Sequence, residues 1–484
     1  MTAINDKDIL LMVEDNTFWS KNFISILKRI GESRSIAVCD IDEFTAQYSA
    51  GRDFENVAAC FVDLELMGDI GPEVSDLSGL KQILPKIRSM APWIPAACIS
   101  RYIGTDGSIV GLLSSSDFDF FVAKKMIVDD KRTHAEFNQQ SWQDTLRSMQ
   151  IKRIAGATGR STGDVFDCLS TLPDLTLEAG AEKAIADAGI SNQVFLEGLS
   201  SLGLEGSELT VEALQPGFSG LQICRVRAMG RSGEDSVAAD WLLKWGRPIH
   251  KLAEEAAAHK LYFRRGLDRA LQIPQLHPNV ITWCGVGFLA YAFEKDAQTA
   301  LEFVGRSGVE GLEPVLTELA SSMYSTVRRK SIIARKEIGE WISSGSQDGR
   351  SRGAGIREGV FDISWSLIHG DLHLRNIFVR GVRPTLIDFA RAGFGPVAID
   401  AAKLVIDALA FAIPAGAGLP RHLNTSGLLE SALCPVFRPF QRALTAPDDA
   451  ELLDGALAAY ARRYLEYPDV PKDKKEVIEM LIKG

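Results

Sequence analysis

Leu367-Ile368-His369-Gly370-Asp371-Leu372-His373-Leu374-Arg375-Asn376-Ile377-Phe378-Val379, followed by Leu386-Ile387-Asp388-Phe389, is the stretch that decides how this chain reads. Apolar runs flank both polar clusters, as buried strands do when they deliver ligands to a cleft. The spacing predicts an exposed loop entering a short strand, a turn at Gly381 and Pro384, and a second apolar strand ending in Asp388. So arranged, three polar side chains surround one small volume. Asp371 can accept a hydroxyl proton there, while Asn376 and Asp388 hold a magnesium ion that bridges nucleotide phosphates. The chemistry implied is phosphoryl transfer from ATP with Mg²⁺.

A second requirement of that chemistry is met upstream. Ala239 to Trp245 is an apolar strand with a lone lysine, Lys244, and Lys251 to His259 is a run of good helix formers. A strand lysine that clamps phosphates and is held by a helix glutamate suits phosphoryl transfer. Lys244 with Glu255 is the preferred pair. Glu254 stays open, because neighbouring helix positions differ by ~100° of rotation. Before them, Glu208 to Leu214 and Leu221 to Val226 read as strands around a turn. Gly217, Ser219 and Gly220 in that turn would let backbone amides approach phosphate. Val280 to Phe293 supplies two more strands around a turn.

These residues resemble the aminoglycoside phosphotransferase family, which shares the protein-kinase-like fold: His369-x-Asp371-x-x-x-x-Asn376 with Ile387-Asp388-Phe389 is its signature. The resemblance implies a two-lobed α+β domain, with residues 207–297 as N-lobe and 298–484 as C-lobe. It implies that the second strand within Val280 to Phe293 leads to a hinge near Ala292 to Glu294 against which adenine would sit. It also implies that Asp400, in Pro396-Val-Ala-Ile-Asp400, has a structural role. Thr299 to Ile342 reads as a helical region, with Arg328-Arg329-Lys330 on a solvated helix face. Asp400 to Ala412 and Leu452 to Tyr467 read as helices, and Ser343 to Gly359 as a surface loop.

The first 130 residues carry a different pattern. Asp8 to Val13, Val57 to Val62, Ile94 to Ile99 and Phe120 to Val122 are apolar runs of buried-strand type. They end in Glu14-Asp15, Asp63, Ser100 and Lys124 respectively. Strands that each end in a polar residue describe an open, doubly wound parallel sheet with its site at the carboxyl edge.

That order resembles the response-regulator receiver domain, which has a flavodoxin-like α/β fold. The resemblance covers about Asp8 to Ile127. It implies that Asp63 accepts a phosphoryl group from an upstream histidine kinase, that Glu14, Asp15 and Asp63 bind Mg²⁺, and that Ser100 and Lys124 meet phosphoryl oxygens. Clustered carboxylates are tolerable together only with a cation and a lysine beside them. The chain departs from the receiver pattern at Met67-Gly68, Arg101 and Lys125.

Residues 131–206 read as a helical connector, with helices at Ser141 to Ile154, Leu177 to Ala188 and Val194 to Leu202. The connector is a candidate for transmitting receiver state or forming a homodimer. A net charge of −10 argues against nonspecific nucleic-acid binding. The seven cysteines form no C-x-x-C pair, which points to reduced core residues of a cytoplasmic protein without disulfides or zinc. The first residues lack a signal-peptide pattern, and Asp407 and Pro414 interrupt the most apolar run, so no membrane partner is expected. The phosphoryl acceptor, small molecule or protein, is not named by these residues. A nucleotide-sensing module without turnover is the alternative reading; the complete set Lys244, Asp371, Asn376 and Asp388 speaks for turnover.

Overall fold

A computed structural model describes residues 9–29, 35–66, 77–101, 103, 116–124, 139–178, 180–204, 208–214, 221–229, 237–264, 280–292, 297–333, 360–414, 418–420 and 422–483. The chain divides into two compact units, Met1–Ala253 with Leu276–Ala292, and Glu254–Gln275 with Phe293–Gly484.

The first unit opens with β1 (Ile9–Val13), α1 (Thr17–Arg29), β2 (Ser35–Cys39), α2 (Ile41–Gln47), β3 (Val57–Asp63), α3 (Leu84–Met90), β4 (Ala96–Ser100) and β5 (Phe120–Ala123). Every strand pairing is parallel and the order is β2-β1-β3-β4-β5, the doubly wound order with one topological switch point. The apolar runs are continuous because both faces are covered. Leu11, Val13, Cys60, Val62 and Cys98 join one core with Phe44 and Ile87. Leu10, Met12, Phe61 and Ile99 join another with Phe23 and Leu27. A fifth strand, β2, comes from Ser35–Cys39, which the sequence reading did not single out; its strand is largely half-buried.

Next come α4 (Gln139–Thr158), α5 (Thr162–Ser170), β6 (Asp174–Leu177), α6 (Ala181–Asp187), α7 (Asn192–Ser201), β7 (Glu208–Ala213), β8 (Gln222–Met229), β9 (Val237–Gly246), α8 (Ile249–Arg264), β10 (Ile281–Trp283) and β11 (Val286–Ala292). The second sheet has the order β10-β11-β9-β8-β7-β6. The connector reading of residues 131–206 needs correcting here. The segment supplies the edge strand β6, which ends at Leu177, the residue where a helix was expected to begin; the helix starts at Ala181. Val165, Ile185, Phe195 and Leu199 of its helices share a core with Val226, Trp245 and Phe288 of the sheet. Phe195 meets both Trp245 and Phe288, with ring centroids 4.9 and 6.1 Å away. The segment therefore has a buried face of its own, which a connector would not.

Gly198 measures how tight that seam is. A Cβ there would lie 2.3–2.8 Å from the Phe288 ring. Gly198→Ala is expected to destabilise the protein by about 1–3 kcal/mol through overpacking, read from the denaturant midpoint; an unchanged midpoint would mean that the helix is free to move off the sheet.

α8 begins inside the first unit. Ile249 is buried in the core of the parallel sheet and Ala253 packs against it, while His250 Nδ1 contacts Glu55. Ile281–Trp283 and Val286–Ala292 form the expected hairpin, turning at Cys284 and Gly285 with positive φ of 49° and 72°, a pairing suited to a tight two-residue connection.

The second unit contains β12 (Gln298–Thr299), α9 (Ala300–Ser307), α10 (Leu312–Met323), β13 (Arg328–Ile333), β14 (Val360–Ile368), β15 (Ile377–Arg380), β16 (Arg383–Leu386), β17 (Gly393–Pro396), α11 (Val397–Phe411), α12 (Thr425–Leu429), α13 (Cys434–Gln441), α14 (Asp449–Glu466) and α15 (Lys472–Lys483). Its sheets have the orders β12-β15-β16 and β13-β14-β17. The region from Thr299 is helical only as far as Met323. Arg328–Ile333 is a strand antiparallel to β14, so the basic stretch does not lie on a helix face. Lys330 Nζ instead sits 3.8 Å from the centroid of Trp365, a cation–π contact that a strand register makes available.

None of the seven cysteines is in a disulfide. No helix among the described residues is long and apolar enough to cross a membrane.

Candidate functional site

The loop after β14 holds its shape through side chains of α11. Asp400 is fully buried and accepts from His369 N and Gly370 N, each at 2.7 Å, and from the Tyr324 hydroxyl at 2.9 Å. Asp407 accepts from Leu374 N and from the Tyr464 hydroxyl, both at 2.9 Å. The loop was expected to be exposed. His369, Leu372, Leu374 and Asn376 are buried, because these two carboxylates satisfy backbone donors that would otherwise require water. Gly370 adopts φ +74°, a conformation that favours glycine.

Within this frame Asn376 Nδ2 donates to the Asp371 carbonyl at 3.0 Å, and Ile387 N donates to the Asn376 carbonyl at 3.1 Å. The second bond ties the first polar cluster to the residue before Asp388. β15 and β16 pair from Ile377↔Leu386 to Arg380↔Arg383, so the turn falls at Gly381 and Val382, and Pro384 lies within the strand opposite Val379. Asp388 has φ +64° and ψ +65°. A non-glycine residue in the left-handed region costs energy and is kept where geometry matters. The His369 ring bonds the Ile387 carbonyl through Nε2 at 2.7 Å and lies 5.5 Å from the Phe389 ring, bracing Asp388 from both sides.

Lys403 was missed from the sequence. Its ammonium contacts Asp371 Oδ1 directly, with the two side chains 6% and 24% exposed. Burial by itself would push the Asp371 carboxyl up, but Lys403, His373 and Arg391 outweigh it and hold the group well below the usual carboxylate range. A signal for Lys403 was present. Asp400, Lys403 and Asp407 are the charged residues of a helix whose positions from Val397 to Ala410 are all buried, and spacings of three and seven place them on one stripe.

The phase of α8 is also visible. Glu255 is 1% exposed and Glu254 is exposed, so the inward position of this helix belongs to Glu255. One turn later, buried His259 places its ring 5.1 Å from Phe389 in an edge-on contact, linking this helix to the residue that follows Asp388. Lys244 lies in β9 opposite Ile223 and Leu289, 3% exposed. It alternates with Leu243 and Trp245, which face the core shared with the inserted helices. Gly217, Ser219 and Gly220 lie outside the described residues, as do Phe293 and Glu294 of the expected hinge.

A second polar cluster sits at the carboxyl edge of the parallel sheet. Lys124 Nζ lies 2.6 Å from Asp63 Oδ2 and 3.0 Å from Glu14 Oε2, all three side chains buried. Carboxylate oxygens of Glu14, Asp15 and Asp63 come within 4.8 Å of one another, and Asp63 Oδ1 is buried with no hydrogen-bond partner among the described residues. An oxygen-rich set with an orphaned carboxylate oxygen fits a hard divalent cation. Burial, then the Glu14 charge, push the Asp63 carboxyl up to about 8 against the pull of Lys124; burial likewise raises Glu14. Ser100, buried, ends the adjacent strand β4, where Ile99 pairs with Asp63.

Lys124→Met would leave Glu14 and Asp63 buried beside each other without a cation. The variant is expected to lose about 3–5 kcal/mol at neutral pH and to recover part of it in millimolar Mg²⁺, measured by thermal melts with and without the ion. A loss that Mg²⁺ leaves untouched would remove the cation from this cluster.

Residues 357–430 match the model of the phosphotransferase enzyme family. The C-terminal part of the chain therefore carries a phosphotransferase-family domain, and the match spans the His369–Asn376 loop, Asp388 and the α11 stripe. No curated protein matches the chain. Among solved structures, an amicoumacin kinase bound to AMP-PNP, Ca²⁺ and its ligand is 11% identical, with a TM-score of 0.36 over 56% of this chain and 86% of its own. A thermostable mutant of the aminoglycoside phosphotransferase APH(4)-Ia is 12% identical, with a TM-score of 0.36 over 57% and 94%. A glucosamine kinase with glucosamine, ADP and inorganic phosphate is 14% identical, with a TM-score of 0.34 over 58% and 85%.

Proposed function

We propose that this protein is an ATP-dependent phosphotransferase whose catalytic base is Asp371. The observation that carries the reading is the bracing of Asp371, Asn376 and Asp388 into one constellation inside the segment that matches the phosphotransferase family. Asp371 takes the proton from the acceptor hydroxyl as its oxygen bonds to the γ-phosphorus, and the bond to the β–γ bridging oxygen breaks with its electron pair on ADP. Asn376 and Asp388 would hold Mg²⁺, which neutralises charge on the phosphates when bound. Lys244 is read as the phosphate clamp and Glu255 as the helix glutamate, and both are buried.

The parallel sheet is read as a receiver domain with Asp63 as phosphoacceptor and a histidine kinase upstream, in a cytoplasmic signalling protein. The cluster of Glu14, Asp15, Asp63 and Lys124 supports that reading.

One observation favours a second reading, nucleotide sensing without turnover: Lys403 occupies a carboxylate oxygen of Asp371. Nucleotide titrations bear first on what the two readings share. Asp388→Ala is expected to weaken Mg²⁺-dependent ATP binding by roughly 10–100-fold, the scale of a lost metal-site interaction, and EDTA is expected to weaken wild type to the same level. Equal affinity in both proteins with and without metal would remove Asp388 from the site.

A further inference from the structure

The contact between Lys403 and Asp371 bears on the acceptor. A base at this position meets the hydroxyl that attacks phosphorus, so the groups around its carboxylate are the groups the acceptor meets. The one that touches it is cationic: the Lys403 ammonium contacts the carboxylate directly. The Lys403 ammonium also lies 5.6 Å from the Tyr460 ring. Tyr460 is fully buried, and its hydroxyl has no hydrogen-bond partner among the described residues. A buried hydroxyl left without a partner costs about 1–3 kcal/mol.

We infer that the acceptor carries an anionic group, carboxylate or phosphate, beside the hydroxyl it offers, and that Lys403 receives that group. The inference rests on the phosphotransferase reading above. When an acceptor anion takes the ammonium, Asp371 Oδ1 is released to accept the hydroxyl proton. A neutral acceptor leaves Lys403 on Asp371, and a cationic one must approach Lys403 against its charge. Selection therefore acts through the base itself: binding the anion and freeing the carboxylate are one event. The transfer balances with no redox partner. The acceptor O–H proton goes to Asp371, the acceptor oxygen bonds to phosphorus, ADP leaves with the electron pair of the broken bond, and Lys403 stays protonated.

The geometry assigns Lys403 to the acceptor rather than to ATP because it bonds the base.

The test uses the full chain with ATP and Mg²⁺ and four probes on one skeleton: glucose 6-phosphate, gluconate, glucose and glucosamine. ADP formation is followed against the rate without a probe. The two anionic probes are expected to change the rate several-fold in wild type, and the ratio between them separates phosphate from carboxylate. Lys403→Met is expected to abolish that response while its KM for ATP stays near wild type, and Lys403→Arg to restore part of it. Glucose or glucosamine acting as strongly as the anions overturns the inference, as does a set of four probes without effect. A Lys403→Met defect confined to the KM for ATP also overturns it and moves the lysine to the nucleotide. Melting curves of both variants establish that they fold. Failure of wild type to bind ATP and Mg²⁺ at all would be a failure of the phosphotransferase reading, seen before any probe is added.

Discussion

Asp371→Asn is expected to lower turnover by about 10²–10⁴-fold, the usual contribution of a positioned general base, while ATP and Mg²⁺ still bind. The substitution keeps the shape of the side chain and leaves the Asp371 carbonyl in place for Asn376 Nδ2, so the proposed cation ligands are undisturbed. An amide cannot take up the acceptor proton. It also withdraws the negative charge that Lys403 now meets, and a buried lysine without its partner lowers stability. The two effects separate experimentally: initial rates of ADP formation report the base, equilibrium nucleotide binding reports the site, and a melting curve reports the lysine. Unchanged turnover would take Asp371 out of the mechanism.

Asp400 is expected to give the largest stability effect in the second unit. Its two oxygens accept from two consecutive backbone amides of the loop and from the Tyr324 hydroxyl. Asp400→Ala strands three donors in a fully buried position, and at ~1–3 kcal/mol for each unsatisfied group, partial relaxation included, the loss is about 3–5 kcal/mol. Asp400→Asn fares little better, because the amide nitrogen must face at least one of those donors. Either variant also frees His369 and Gly370 to leave the geometry that aims Asp371, so turnover falls along with the unfolding midpoint. Full turnover in a protein with a lowered midpoint would show that Asp400 supports the fold without positioning the loop.

Several features were legible in the sequence for physical reasons. β1, β3, β4 and β5 are covered on both faces, so each reads as an unbroken apolar run, and in a parallel sheet the polar residue after each run lands at the same edge. Glu14, Asp63 and Lys124 were found that way and do meet. Asp371, Asn376 and Asp388 read together because loop and hairpin keep them close along the chain, and the hydrogen bonds of Asn376 to the Asp371 carbonyl and of Ile387 to the Asn376 carbonyl keep the two segments adjacent.

Other features depend on tertiary contact and left weaker traces. β13 reads as the tail of a helical, basic region, and only pairing with β14 makes it a strand. β6 is four residues long and only half covered, too short for alternation to outweigh the helical pattern around it. Lys403, Asp407 and His259 sit within helices. There, charge in an apolar run was noticed as a bar to membrane insertion at Asp407, when the spacing of Asp400, Lys403 and Asp407 already described a stripe facing the loop. The helices of residues 131–206 carry buried faces, but a sequence does not say which sheet covers them, and here it is the sheet bearing Lys244.

The central claim is that the Asp371, Asn376 and Asp388 constellation transfers the γ-phosphoryl group of ATP. The most direct measurement follows γ-labelled ATP incubated with Mg²⁺ and the full-length wild type, Asp371→Asn or Asp388→Ala proteins. Wild type is expected to remove label from ATP, with both variants at least about 100-fold slower. Equal rates in all three proteins would contradict it.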